Sequence, residues 1–109
     1  MASSIKTLAQ AFPSAATLTT LYTVPAATST VCSTLVVCNQ SAIQTSFRVS
    51  VRVAALADTA KQYLYYDAVI LGNATFTATI GLTLAATDIV SCYATLGTVS
   101  FSLFGVEES

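Results

Sequence analysis

Thr45-Ser46-Phe47-Arg48-Val49-Ser50-Val51-Arg52-Val53 decides how this chain folds. Phe47, Val49, Val51 and Val53 interleave with Ser46, Arg48, Ser50 and Arg52. Successive side chains of a strand point to opposite faces, so this two-residue beat builds one apolar and one polar face. The same beat recurs in at least five other segments, which makes the chain an all-β protein.

Upstream, Thr30 to Asn39 is rich in β-branched residues. Val31, Leu35 and Val37 are expected to face one way and Cys32, Val36 and Cys38 the other, which predicts a strand buried on both sides. Thr17 to Val24 alternates less regularly and stops at Pro25, whose missing N–H suits a strand end. The segment before it is an extended arm or an edge strand, closed by Phe12-Pro13; an arm docked on a neighbouring copy would bury Leu8 and Phe12.

Downstream, Asn39 suits an Asx turn leading into the Thr45 strand. The helix-friendly residues Ala54 to Ala60 are too few for a stable helix and predict a loop with one helical turn at most. Gln62 to Ile70 resumes as a strand with Tyr63, Tyr65 and Asp67 on one side and Leu64, Tyr66 and Ala68 on the other. Thr75 to Ile80 sets Thr75, Thr77 and Thr79 outward and Phe76, Ala78 and Ile80 inward. Gly81 to Asp88 reads as a connection whose leucines plug the core, with Asp88 accepting from free N–H groups of the turn. Ile89 to Ala94 and Val99 to Phe104 complete the set, the last with Val99, Phe101 and Leu103 inward and Gly105 as its end.

Turn signals every 8 to 12 residues favour one antiparallel β-sandwich, jelly-roll or immunoglobulin-like, of about 7–8 strands. The expected organisation is an arm or edge strand over residues 1–16, the sandwich over 17–106 and a tail over 107–109.

Only 8% of the residues are charged and 54% are hydrophobic, with a net charge of −1 and no histidine. Such a surface does little to keep copies apart, so burial against copies of itself or a partner is expected. Thr and Ser interrupt every apolar run before the roughly 18 residues that a membrane-spanning helix needs. Met1 to Lys6 lacks a basic region followed by an apolar block, so the chain is expected to stay in the cytosol until assembly. Scattered Arg and Lys give no clustered basic face for nucleic acid.

Chemistry is sparse. Without histidine, Ser and Cys lack the commonest activating base, so no enzyme activity is expected. Asp58, Asp67 and Asp88 fall near turns or strand edges and Glu107-Glu108 in a tail, positions suited to solvated or turn-capping roles. No acidic cluster suits calcium, no phosphate loop surrounds the isolated glycines, and no cofactor is expected. Cys32 and Cys38 are separated by roughly 20 Å along one strand, too far to bridge. Cys38 with Cys92 stays open, beside the simpler reading of three buried thiols. The one site-like feature is Tyr63, Tyr65 and Tyr66 with Lys61, Arg48 and Arg52. Sheet packing, a subunit interface and a ligand platform are its three readings.

Three stretches carry a resemblance: LYTVPAATSTVCSTLVVCNQS from Leu21, FRVSVRVAALADTAKQYLYYD from Phe47, and GLTLAATDIVSCYATLGTVSFSLFGVE from Gly81. With their VPA turn at Val24, VCNQS strand end at Val37 and LAATD turn at Leu84, they resemble small structural proteins of tailed bacteriophages and prophages over roughly Thr17 to Glu107. The resemblance implies a β-sandwich virion component, foremost a capsid decoration (cement) protein at the head surface. Its implied partners are the major capsid protein and copies of itself, a trimer being one form. A tail, baseplate or fibre module that binds a host surface or carbohydrate is the alternative. The candidate interface residues are Leu8, Phe12, Arg48, Arg52, Tyr63 and Tyr65.

Overall fold

The computed structural model describes residues 3–57 and 59–109, so readings that involve Met1, Ala2 and Asp58 lie outside the described residues. The strands are β1 (Ser3–Ala11), β2 (Thr19–Thr23), β3 (Ser29–Asn39), β4 (Thr45–Arg52), β5 (Tyr63–Ile70), β6 (Thr75–Leu84), β7 (Ile89–Ala94) and β8 (Val99–Glu108). They pair as nested antiparallel partners, β1 with β8, β2 with β7, β3 with β6 and β4 with β5. Pairing of β3 with β8 and β4 with β7 rolls this long ribbon into a front sheet, β1-β8-β3-β6, and a back sheet, β2-β7-β4-β5. The expected β-sandwich is therefore present, with the strand order of an eight-stranded jelly roll.

Burial drives the two sheets together. Leu35, Val37, Val99, Phe101 and Leu103 of the front sheet and Phe47, Val90, Cys92 and Ala94 of the back sheet are fully buried. Phe47 is the hub: its ring lies 5.3 Å from Phe76, 6.0 Å from Tyr65 and 6.1 Å from Phe101, joining both sheets.

The expectation that β3 is apolar on both buried faces is corrected by a bulge. Pairing shifts register between Cys32 and Thr34 against both neighbours, so Cys32, Leu35, Val37 and Asn39 all turn inward. An extra residue reverses the alternation after it, which a strict two-residue reading cannot follow. Matching irregularities fall between Thr7 and Ala9 of β1 and around Gly81 of β6, whose φ is +50°. They form one row across the front sheet. In that row β8 carries Gly105, where a Cβ would lie 2.1 Å from the Val31 carbonyl oxygen.

Gly105 therefore does not end the last strand; the backbones approach so closely that only glycine fits, and β8 continues to Glu108. The expected tail over 107–109 is corrected for the same reason, since Glu107 and Glu108 pair with Ser4 and Ser3 of β1 and with Thr30 and Ser29 of β3. Residues Ser3–Ala11 are an edge strand of the chain's own sheet. The glycine bulge also lets β6 run on to Leu84, where a connection was expected from Gly81. The β4–β5 link contains two short 3-10 turns, Val53–Ala55 and Ala60–Gln62.

Nested pairing sorts the connections by end. The β1–β2, β3–β4, β5–β6 and β7–β8 loops meet at one end, and Asn39 ties the last three together. Its Nδ2 donates to the carbonyls of Ile43 (2.8 Å) and Leu71 (3.2 Å), while its Oδ1 accepts from Ser41 N–H and the Thr98 hydroxyl, each 3.1 Å. The Ser41 contact is the expected Asx turn. At the other end Asp88 plays the part its sequence position suggested, accepting from Ala54 N–H (2.8 Å) and Ala85 N–H (3.0 Å).

Candidate functional site

The expected basic and aromatic cluster assembles on the outer face of the back sheet, with a different membership. Arg48 projects from β4 and its guanidinium carbon lies 4.2 Å from the Tyr66 ring centroid and 4.4 Å from that of Tyr93. Its Nε donates to Asp67 Oδ1 at 2.7 Å and Nη2 to Oδ2 at 3.3 Å, and this bond raises the guanidinium further above its ordinary value. Tyr63 meets Tyr66 edge to face at 5.0 Å. Each cation–π contact at such an exposed site is worth about 0.5–1 kcal/mol, and the surface ion pair no more.

Tyr65 is not part of this stack. It packs inward on Phe47 and Phe76, so Tyr63 and Tyr65 occupy opposite faces although they were expected on one. Register shifts in β5, opposite Arg48 and between Tyr65 and Tyr63, reverse the alternation twice. Asp67, with φ +53°, sits in the first of them. The irregularity brings Tyr66 beside Arg48, and pairing of β4 with β7 supplies Tyr93. No local signal in the sequence marks Tyr93 as a neighbour of Arg48.

The remaining candidates scatter. Leu8, at the β1 irregularity, packs partly against the core. Arg52 donates through Nε to the Leu56 carbonyl at 2.7 Å and belongs to the Asp88 end. Phe12 is exposed at the opposite end.

On the paired strands β4 and β7, Ser50 and Ser91 lie opposite one another, fully buried, and neither hydroxyl has a hydrogen-bond partner among the described residues. A buried, unsatisfied hydroxyl costs about 1–3 kcal/mol. The double variant Ser50→Ala/Ser91→Ala is thus expected to melt at the wild-type temperature or several degrees above it in a calorimetric scan.

A second polar cluster spans the two sheets. Tyr22 donates its hydroxyl to Glu107 and lies 2.9 Å from Thr30 Oγ1, and Lys6 Nζ is 2.6 Å from the other Glu107 oxygen. Burial, then the carboxylate, pushes the Tyr22 hydroxyl up to about 12, while bonds from Lys6 and Tyr22 hold Glu107 below its ordinary value. A depressed carboxylate stabilises the fold above its unfolded value, and that increment disappears as pH falls through the folded one. Glu107→Gln is therefore expected to melt a few degrees below wild type at neutral pH. The gap should close as pH drops below 4.5, the unperturbed glutamate value, as thermal melts across pH will show.

Cys32, Cys38 and Cys92 are free thiols, so the Cys38–Cys92 pairing is absent. Cys92 faces the core from the back sheet, whereas Cys38 sits on the outer side of the front sheet and is only half-buried, which corrects the reading of three buried thiols. Burial pushes Cys32 up to about 11 and Cys92 to about 12. Thiolate supply and access set reactivity. In native protein diluted to keep the chain monomeric, a colorimetric thiol reagent should label Cys38 at least ~100-fold faster than the other two, and all three after unfolding.

The end tied by Asn39 is apolar and without charge. None of its four loops contains a charged residue, yet they expose Phe12 (57%), Leu18 (40%), Ile43 (63%) and Leu71 (62%). Exposed apolar groups gathered at one end of the body, with no charge among them, suit an interaction surface. Among the described residues no three His, Cys, Asp or Glu side chains come together to hold a metal ion, and no helix is long and apolar enough to cross a membrane.

No family model, curated protein or solved structure matches this chain.

Proposed function

We propose that the chain is a non-enzymatic structural protein of a phage virion, a decoration protein that attaches to the major capsid lattice and stabilises the head. The observation that carries this reading is the charge-free end with its four exposed apolar side chains, where Asn39 pins three of the four loops. Rigid attachment points lose little entropy on docking, and a lattice multiplies a weak contact over many copies. Jelly rolls serve viral capsid domains and lectins alike, so the fold is compatible with the role but does not single it out. The phage assignment itself comes from the sequence resemblance.

A tail, baseplate or fibre module is the second reading, favoured by the open groove beside Arg48, lined by Gln44, Ser46, Asp67, Tyr93 and Thr95. Copy number separates the two. Quantitative mass spectrometry of purified virions is expected to find hundreds of copies per particle, as head symmetry requires; six to a few tens would place the chain on the tail. Particles lacking it should break at a lower temperature and sooner as salt is lowered than complete ones, and equal resistance to heat and low salt would exclude the cement role.

A further inference from the structure

The two outer faces of the sandwich differ in charge. The back face carries Arg48, Arg52 and Asp67. On the front face, the two central strands present Val31, Val36 and Cys38 of β3 beside Phe104 and Val106 of β8. Threonines of β6 flank them on one side, and Thr7 and Gln10 of β1 on the other. Lys6 of the flanking β1 and Glu107 of the central β8 alternate away from this face and pair with each other. Glu108, at the margin, is the one charge on it among the described residues. Ile5, 86% exposed, aligns with Val106 and Val31 across three strands.

An apolar centre inside an uncharged polar rim is the anatomy of a protein interface, where charged residues are depleted from the core. Four strands ~4.8 Å apart and about ten residues long at ~3.3 Å each give a footprint on the order of 600 Å². Stable interfaces bury about 600–1,000 Å² of accessible surface per partner, so contact across the whole face reaches the lower bound of that range. Its chemistry also selects the occupant. A charged partner would leave its charges desolvated and unpaired here. A second copy brings the same face, uncharged except for Glu108 at its margin, and a two-fold contact joins its apolar centres without repulsion. Two sheets packed face to face about 10 Å apart repeat the arrangement already present inside the sandwich.

We infer that two copies of this chain pair through the outer face of the front sheet. The inference rests on the reading of the chain as a self-associating building block and names the surface that does it.

Sedimentation velocity of the intact protein, from low to about 100 micromolar, tests the face without any phage particle. Wild type is expected to sediment as a dimer of the 11.3 kDa chain. Ser102→Glu and Thr77→Glu flank Val36 on either side, and each places like charges at the centre of a two-fold contact. Juxtaposed like charges cost several kcal/mol, so either substitution should weaken pairing at least ~100-fold. Thr20→Glu, exposed on the back sheet, adds the same charge elsewhere and should leave the dimer intact. Unchanged near-ultraviolet circular dichroism verifies folding, and Thr77→Glu, on the outer strand, serves if Ser102→Glu misfolds. A monomeric wild type, a dimer indifferent to both front-face variants, or equal loss with Thr20→Glu would overturn the inference. Head binding is measured separately: a monomer that still decorates heads defeats this face alone, and a dimer that never binds heads defeats the decoration role alone.

Discussion

Gly105→Ala is expected to lower the melting temperature by roughly 15 °C, and Gly81→Ala by about 5 °C. Both glycines lie in the row of irregularities across the front sheet, but different forces hold them there. At Gly105 a methyl group would lie 2.1 Å from the Val31 carbonyl oxygen and 2.9 Å from Cys32 Cα. Those are backbone atoms of a paired central strand, so β3 and β8 must separate where the sheet bends. Overpacking of this kind costs about 3 kcal/mol, a large share of the roughly 5–15 kcal/mol that holds a domain folded. Gly81 has φ +50° and nothing within 4 Å of its virtual Cβ. Alanine there meets only the conformational penalty of a left-handed residue, about 1 kcal/mol. Equal melting of the two variants would mean that β8 and β3 are not so closely apposed.

Asn39 supports the second prediction. Its side chain satisfies two carbonyls, one N–H and one hydroxyl from three different loops while only 1% exposed. Asn39→Ala orphans all four partners and is expected to cost about 3 kcal/mol or more, measured by denaturant unfolding. Asn39→Asp should be as damaging at neutral pH, because an acceptor replaces the amide that faced the Ile43 and Leu71 carbonyls. Burial against those carbonyls raises the folded-state value of the introduced carboxyl above its unfolded one. The variant's deficit is then smallest below the ordinary aspartate range, where the protonated acid can donate, and grows as pH rises through the folded-state value. A pH-independent deficit would show that Nδ2 is not the group that matters.

Much of the architecture was legible in the sequence because alternation is a local property. Val99, Phe101 and Leu103 point inward, Thr75, Thr77 and Thr79 outward, and Asn39 and Asp88 make the turn contacts their types suit. What escaped was every place where the beat slips. Ser33 carries no sign that it is the extra residue of β3. Gly81 and Gly105 do carry one, since glycine within a strand pattern marks a bulge or a close approach, but the same residue type also suits a strand end. The same slip in β5 separated Tyr63 from Tyr65. The Arg48 stack was half legible: Arg48, Tyr63 and Tyr66 were read as one cluster, but Tyr93 and Asp67 join it only through β4–β7 pairing and the β5 register shift. Glu107 was assigned to a tail because nothing local announces that Tyr22, 85 residues away, waits for its carboxylate.

The proposed role depends on contacts made without charge, and that sets its salt response. Titration of the purified protein onto heads that lack it, at about 50 mM and about 1 M salt, is the most direct measurement, since charged contacts beyond a Debye length of ~3 Å are screened at the higher value. Saturable binding of equal occupancy at both salts, lost in Ile43→Asp and Leu71→Asp, is predicted. No binding at either salt, binding abolished at high salt, or binding untouched by those two substitutions would contradict the account.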